Sequence, residues 1–304
     1  MDDTVTLRRG RLRVDLAPAS GGALTRFTLA DGGRTLDLFR PAPEPLPATL
    51  TPLATSCFPL VPFSGRIAAA CLRFGGRSYD LPPSSLTGEA NALHGEGWIA
   101  PWRVVHRNED RIELAFHGGG GGWPFPYEAG QIFTLTDDRL VGEIWIENTG
   151  RQPMPAGLGL HPYFIATPLT RLTLRADRVW LVDAGNLFDR VAPVPPRWDF
   201  GAGREIAGTG LVNGFTGWDG HAVIEWPEWP ARLSLIAGPS LRHLVLYTPL
   251  GADFFCVEPV SHSVDAFNLA ERGVPGTGTV VLAPGETLRG QIEFVPEVRF
   301  KGLP

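Results

Sequence analysis

Apolar and polar residues alternate along much of the chain, and turn residues separate the alternating runs. The run TVTLRRGRLRVDL alternates on both sides of an Arg-Arg-Gly turn at 8–10, and QIFTLTDDRLVGEIWIEN alternates around Asp137 and Asp138. A period of two residues is typical of strands with one buried face. Both runs are therefore predicted to be β-hairpins.

Shorter runs of the same kind predict further strands, and these are RIELAFHG, RLSLIAG, HLVLYTP, DFFCVEP and LRGQIEFV. No stretch of comparable length carries the stripe of an amphipathic helix, in which apolar residues recur every three or four positions. We therefore expect an all-β fold, an antiparallel sandwich with few and short helices.

Two segments rich in proline and glycine, 40–52 and 190–210, interrupt the alternation. Strands are predicted to resume directly after each, and no shift in composition marks a domain boundary. We expect both segments to be surface loops of a single domain that spans residues 1–304. A hydrophobic content of 43% suffices for a large core in a domain of this length.

Charge argues against nucleic acid partners, and the absence of long apolar runs argues against membrane partners. The formal charge is −5, and no basic run offers a positive field for phosphate backbones. The chain opens MDDTVTLRRG, which is unlike a secretion signal, and no window approaches 18 uninterrupted apolar residues. A cytoplasmic protein is the expectation.

Cysteine and lysine usage removes several enzyme classes. Cys57, Cys71 and Cys256 are widely spaced and odd in number, which argues against a disulfide framework and a thiolate zinc site. Lys301 is the only lysine, so Schiff-base chemistry has almost no candidate residue.

His161 lies in GLGLHPYF, where a proline and two aromatic residues follow the imidazole and restrict the backbone. A histidine in this setting either bonds a backbone carbonyl in the core or faces a ligand. The residues alone leave both interpretations open.

Glu258 ends a mostly apolar strand in DFFCVEP and is followed by Pro259. Burial of a carboxylate raises its pKa toward the range of a general base, unless the group is paired in a salt bridge. His262 would share a face with Glu258 only if the strand continued past the proline, which we do not expect. A metal site built from His94, His161, His262 and Glu258 has the right ligand types but no recognised spacing.

Arg66 and His94 are further candidates for binding. Arg66 follows a Ser-Gly turn in an apolar region, where a guanidinium needs a carboxylate or an array of sugar hydroxyls as its partner. His94 is followed by Gly95 and Gly97, which allow a ligand close to the backbone. Trp98 and Tyr163 offer flat faces for a sugar ring, although most aromatic residues of a sandwich belong to its core.

Six motifs occur in a definite order, and together they resemble the aldose 1-epimerase (galactose mutarotase) family; they are SGRIA, NALHGEGW, GWPFPYEAGQ, GLGLHPYF, NGFTGWDG and VEPVSHSVDAFN. Each motif alone is weak, but the ordered set covers most of the chain and is specific. The resemblance implies an antiparallel β-supersandwich with an open sugar-binding cleft, no metal and no organic cofactor.

The same resemblance implies roles for individual residues. His161 resembles the general acid of the family and Glu258 its general base, while His94 and Arg66 resemble residues that hold the sugar. The implied reaction is the exchange of α and β anomers of a free aldose through ring opening. A monomer or a homodimer would suffice for it.

Asn213 stands where the family usually has an aspartate that binds sugar hydroxyls. The amide keeps an acceptor but loses the charge, so sugar specificity would differ from that of galactose enzymes. Two other functions stay open on the sequence: a 1-epimerase for sugar phosphates, and a non-catalytic protein that binds a monosaccharide.

Overall fold

The computed structural model describes residues 4–47, 49–183, 185, 187–229 and 231–298. Within these residues the chain forms 26 β-strands and one short α-helix, α1, at Ala266–Glu271. In chain order, β1 to β26 are Val5–Arg9, Leu12–Ala17, Ala23–Asp31, Arg34–Asp37, Cys57–Leu60, Arg66–Ile67, Cys71–Phe74, Arg77–Asp80, Ala92–Leu93, Arg103–Arg107, Arg111–Gly118, Tyr127–Leu135, Leu140–Asn148, Met154–Ala156, Gly159–Ile165, Arg171–Leu174, Arg178–Val182, Phe188–Pro193, Arg204–Glu205, Val212–Thr216, His221–Trp226, Ala231–Ala237, His243–Tyr247, Phe254–Val260, Val280–Leu282 and Thr287–Val298.

Two large antiparallel sheets dominate the fold. The first has eleven strands in the order β1-β2-β3-β5-β15-β24-β23-β20-β17-β18, with β4 paired to β3. The second has nine strands in the order β10-β11-β12-β13-β26-β22-β21-β16-β19. Three two-stranded ribbons, β6 with β9, β7 with β8 and β14 with β25, complete the described strands.

The predicted all-β antiparallel architecture is confirmed, and so are both hairpins. In the first, β1 pairs with β2 from Val5 opposite Leu16 to Arg9 opposite Leu12. In the second, β12 pairs with β13 from Tyr127 opposite Asn148 onwards.

The prediction of a surface loop at 190–210 is wrong for its first residues. Phe188–Pro193 is strand β18, which pairs with β17, and a short strand follows at Arg204–Glu205. β18 is the last strand of its sheet. Proline is tolerated on such an edge because the missing N–H interrupts no further ladder, so a proline-rich sequence does not exclude a strand there.

The main core lies between the two large sheets. Phe39 joins them, because its ring meets Phe164 of β15 at 5.3 Å and Phe294 of β26 at 4.9 Å between centroids. Trp226 of the second sheet donates its indole N–H to the carbonyl of Ile165 in the first. One face of the eleven-stranded sheet is thereby covered.

The opposite face of the same sheet carries a second, smaller apolar cluster that includes Phe58, Trp98, Tyr163 and Cys256. Alternate residues of β15 and β24 point to this face, since side chains along a strand alternate between the two sides of its sheet. No helix in the described residues is long and apolar enough to cross a membrane.

Candidate active site

One row of side chains crosses four neighbouring strands on the face opposite the main core. His161 of β15 lies opposite Phe58 of β5. The register that pairs Gly159 with Val260 sets His161 opposite Glu258 of β24, and Glu258 in turn lies opposite Val245 of β23. Directly opposed residues of antiparallel strands share a face. Strand pairing therefore brings the two predicted catalytic groups together.

The imidazole and the carboxyl are in direct contact. Nε2 of His161 lies 3.3 Å from Oε1 of Glu258, and the two side chains are 8% and 5% exposed. Burial lowers the pKa of His161 to about 3, with a smaller contribution from the nearby positive charge of Arg40. Burial raises the pKa of Glu258 to about 8, against an opposing effect of Arg66. At neutral pH the pair thus holds one proton, on the carboxyl.

Aromatic rings hold the imidazole of His161 from both sides. Phe58 packs on it with a centroid separation of 4.4 Å, and Tyr163 stacks on it at 4.8 Å with an interplanar angle of 23°. The guanidinium of Arg40 caps the column 3.9 Å above the Tyr163 ring, and its Nη2 donates to the carbonyls of Leu53 and Thr55. The orientation of the imidazole plane is fixed by packing.

The second glycine of GLGLHPYF, Gly159, is required by the close approach of two strands. A Cβ at this position would lie 2.6 Å from the carbonyl oxygen of Pro259. Only glycine therefore lets β24 approach β15 closely, and this approach sets the contact between His161 and Glu258.

His94 is held in a strained backbone conformation. Its φ is +57°, in the left-handed region that few residues other than glycine adopt. Gly65 clamps it twice: the N–H of His94 donates to the carbonyl of Gly65, and the N–H of Gly65 donates to Nδ1 of His94. Nδ1 is therefore an acceptor and the proton sits on Nε2.

Burial lowers the pKa of His94 well below its ordinary value, and the nearby His161 and Arg66 lower it further. The ring is consequently neutral near pH 7. Since Nδ1 is occupied by Gly65, Nε2–H is the donor that His94 offers to a ligand in the cleft.

Arg66 forms a bidentate ion pair with Glu89. Nε lies 2.5 Å from one carboxylate oxygen and Nη2 lies 2.8 Å from the other. The ion pair with Arg66 lowers the pKa of Glu89, and the nearby Thr87 and Asn91 lower it further, so this carboxylate is ionised at neutral pH. The side chains are 19% and 26% exposed, and both residues line the cleft.

These groups surround a cleft of about 360 Å³, within the range of small-molecule sites. Among the described residues, the polar part of its lining is Arg66, Thr87, Glu89, His94, His161, Tyr163, Tyr247 and Glu258, and the apolar part is Leu53, Gly65, Leu93, Phe188, Val212, Val245 and Val264. An apolar wall facing a few convergent polar groups suits a sugar ring, which has apolar faces and a polar rim.

A wider groove of about 450 Å³ lies elsewhere on the surface, but its charges neutralise one another. Arg13 pairs with Asp15, and Arg26 pairs with Asp37 and Glu44. The cleft that contains His161 and Glu258 is therefore the candidate active site.

The structure brings five of the seven predicted site residues to this cleft: Arg66, His94, Tyr163, His161 and Glu258.

Trp98 is not in the lining. It is 2% exposed, packs against His94 and Phe58 at 5.2 Å between centroids, and donates its indole N–H to the carbonyl of Gly95. It supports the His94 loop from behind.

Asn213 also lies outside the cleft lining. On β20 it shares a face with Phe215 of the main core, while Val212 and Gly214 point to the cleft side. Its Nδ2 donates to the carbonyl of Trp180 at 2.9 Å, and the residue is 4% exposed. The residue that β20 presents to the cleft is Val212.

Sequence reasoning missed Glu89 and Tyr247. Glu89 could have been found, since a guanidinium in an apolar region calls for a carboxylate, and Glu89 is five residues before His94. The position of Tyr247 follows from the alternation of side chains along β23. It lies two residues from Val245 and opposite Cys256, so it lies on the cleft side of the sheet like both of them.

Metal ligation was the other chemistry open to these residues. His161, Cys256 and Glu258 bring one potential ligand atom each within 4.8 Å of one another. Burial raises the pKa of Cys256 well above its ordinary value, which keeps the sulfur as a thiol, and metals bind the thiolate. His262 is occupied on both ring nitrogens, by the N–H of Ser64 and the carbonyl of Ser263. The cluster fits proton transfer better than metal binding.

Known proteins resemble this chain over nearly its whole length. The family model for aldose 1-epimerase matches residues 3–295. The uncharacterised protein YphB of Escherichia coli K12 is 32% identical, with 95% of this chain and 97% of YphB covered. A second uncharacterised protein of that bacterium, YihR, is 28% identical over 74% of this chain and 77% of its own length.

Solved structures that resemble this chain point to the same family of proteins as the sequence relatives. A candidate aldose 1-epimerase of E. coli K12 has a TM-score of 0.86 at 30% identity, covering 97% of this chain and 99% of its own. Galactose 1-epimerase of Lactobacillus acidophilus has a TM-score of 0.77 at 18% identity, covering 98% and 95%. At that identity the likeness carries the fold alone. The mutarotase-like fold implied by the motifs is confirmed.

Proposed function

Because the chain belongs to the aldose 1-epimerase family, we propose that it interconverts the α and β anomers of a free aldose, with His161 and Glu258 as its acid–base pair. The observation that carries the proposal is the 3.3 Å contact between Nε2 of His161 and Oε1 of Glu258 on the cleft floor. In a pyranose, the ring oxygen and the anomeric hydroxyl are bonded to the same carbon. An acid and a base that serve both oxygens must therefore lie side by side.

Ring opening requires two proton transfers. The Glu258 carboxylate takes the proton of the anomeric hydroxyl, and the His161 imidazolium gives a proton to the ring oxygen. The bond between C1 and the ring oxygen breaks, and the electron pair of the former O–H bond becomes the second C–O bond of the aldehyde. Rotation about C1–C2 and reversal of the transfers close the other anomer. Only protons move, so the mechanism needs no redox group.

The proton content of the pair suits this cycle. With a pKa of about 8 for Glu258 and about 3 for His161, the pair holds one proton at neutral pH. A neutral imidazole beside a protonated carboxyl is the state reached after ring opening. Moving that proton to the imidazole gives the state that begins it. The two forms have equal proton content, so the pair needs no exchange with solvent between half-reactions.

Neighbouring residues support the positioning of the sugar. His94 offers Nε2–H to an oxygen of the sugar, because Gly65 already occupies its Nδ1. Tyr163 and Phe58 hold the acid in one plane. Fixed orientation of reacting groups lowers the entropic part of the barrier.

The test replaces each partner by an amide of similar size. Glu258→Gln removes the base and His161→Gln removes the acid, and we expect each to lower the enzymatic rate by about 10²–10⁴-fold. Polarimetry on freshly dissolved α-anomers of several aldoses, corrected for the spontaneous rate, measures it. Glu293→Gln and His106→Gln change the same residue types outside the cleft and should keep the wild-type rate.

Near wild-type rates in either cleft variant would reject the assignment of the pair. A wild-type protein that binds a monosaccharide in calorimetry without accelerating anomer exchange would instead identify a non-catalytic sugar-binding protein.

A further inference from the structure

The ion pair between Arg66 and Glu89 occupies the edge of the cleft, and the mechanism does not use it. Both guanidinium nitrogens on one side of Arg66 are committed to the two oxygens of Glu89, at 2.5 and 2.8 Å. Thr87 and Asn91 lie near the carboxylate of Glu89 and also lower its pKa. The side edge of the guanidinium, formed by Nε and Nη2, is thus already filled and is not available to grip another oxyanion in bidentate fashion.

The charges around the cleft leave little to attract an anion. Among the described lining residues, Arg66 is the one permanent cation. Burial keeps His94 and His161 neutral near pH 7. Arg40, behind Tyr163, is tied to two backbone carbonyls and is not part of the lining. The Glu89 carboxylate adds a negative charge at the rim.

We propose that Glu89 is a specificity-determining residue, which limits the cleft to uncharged aldoses and rejects sugar phosphates by occupying Arg66. The inference rests on the proposed function and names its substrate class. Nη1 of Arg66, which makes no bond to Glu89, keeps its N–H groups for neutral sugar hydroxyls. A phosphate would have to displace a carboxylate held by two hydrogen bonds from Arg66 and would meet its negative charge.

The wild-type protein gives the first test. Anomer exchange of glucose should be accelerated with a kcat/KM at least about tenfold higher than that of glucose 6-phosphate, as expected when a charged group is denied its partner. Equal kcat/KM for the two sugars would overturn the proposal. Absence of activity on every unphosphorylated aldose would contradict the proposed function instead, so the two failures are distinguishable.

The second test frees Arg66 and reads out binding without turnover. Glu89→Gln retains the shape and an acceptor oxygen, and it should bind inorganic phosphate about 10- to 100-fold more tightly than the wild type in calorimetry. Adding Arg66→Met to Glu89→Gln should abolish the gain. If Glu89→Gln binds phosphate no better than the wild type, Glu89 does not exclude anions.

A matched control separates this local effect from net charge. Arg232 and Glu297 form a second bidentate pair, with both contacts at 3.0 Å, on the exterior of the nine-stranded sheet. Glu297→Gln changes the formal charge by the same amount far from the cleft, so its phosphate binding should equal that of the wild type. A gain in Glu297→Gln as large as that in Glu89→Gln would overturn the proposal. Circular dichroism and thermal melting test whether each variant is folded. If Glu89→Gln does not fold, Glu89→Ala replaces it in the phosphate-binding experiment.

Discussion

At the scale of single residues, burial controls the chemistry of the cleft. Glu258 and His161 are both nearly inaccessible, and the loss of hydration acts in opposite directions on an acid and a base. It raises the pKa of the carboxyl to about 8 and lowers that of the imidazole to about 3. Each group alone would be a poor acid or base at neutral pH. As a pair they hold one proton between about pH 3 and pH 8.

The first prediction concerns the pH dependence of activity. In the proposed mechanism the pair works with one proton, and this proton is lost as pH rises through the pKa of Glu258, about 8. No proton is then left for the ring oxygen. We expect kcat/KM to be level between about pH 6 and 7.5 and to fall about tenfold per pH unit above 8. Polarimetry with the spontaneous, base-catalysed rate subtracted measures it. A kcat/KM that rises between pH 8 and 9 would contradict the shared proton.

At the scale of the strand, the side that a residue faces decides its role. Asn213 and Val212 are neighbours on β20, yet one points to the main core and the other to the cleft. A shift of one position in a strand exchanges the two faces. The amide of Asn213 therefore serves the fold, through its bond to the carbonyl of Trp180.

The second prediction separates these two positions. Asn213→Ala deletes a buried hydrogen bond and should lower the free energy of unfolding by about 1–3 kcal/mol, with little change in KM. Val212→Asn places an amide in the cleft wall and should change KM by about fivefold, equivalent to about one hydrogen bond. Urea unfolding and the concentration dependence of anomer exchange measure the two effects. The reverse outcome, in which only Asn213→Ala changes KM, would mean that Asn213 and not Val212 contacts the sugar.

The sequence predicts strands well and strand neighbours poorly, for a physical reason. The two hairpins could be predicted because a tight turn joins both partners, whereas β15 and β24 pair across a long stretch of intervening chain. Alternation alone does not indicate that His161 meets Glu258. The order of the family motifs implied that meeting, but it could not specify which side of β20 Asn213 occupies. Glu89 lies in a loop without alternation, so only the need of Arg66 for a partner points to it.

At the scale of the whole molecule, the large core between the sheets supports a second face on which several ionisable groups are buried uncharged. Burial keeps the pKa of His243 and of His262 at about 4, in addition to the lowered values of His94 and His161. Unfolding returns all four imidazoles to water, where their pKa is near 6.5. Stability is therefore linked to pH through the fold as well as through the cleft.

The third prediction is that the protein loses stability in mild acid. A histidine whose pKa is lowered by folding contributes stability that is present above 6.5 and is lost as pH falls toward its folded value, and each of the four contributes about 1.4 kcal/mol per pH unit in that range. Glu258 has the opposite sign: its raised pKa gives a contribution that is present below about 4.5 and is lost as pH rises to about 8. Between pH 6 and 5 four imidazoles oppose two carboxyls, Glu258 and Asp265, whose pKa burial also raises, so the free energy of unfolding measured in urea should fall as pH is lowered. His262→Gln, which removes one of the four, should reduce that slope by about 1.4 kcal/mol per pH unit even though it also destabilises the protein at pH 7.5. An unfolding free energy that is constant or increases from pH 6 to 5 would mean that these histidines are charged in the folded protein, and it would also remove the basis for a neutral His161 in the resting pair.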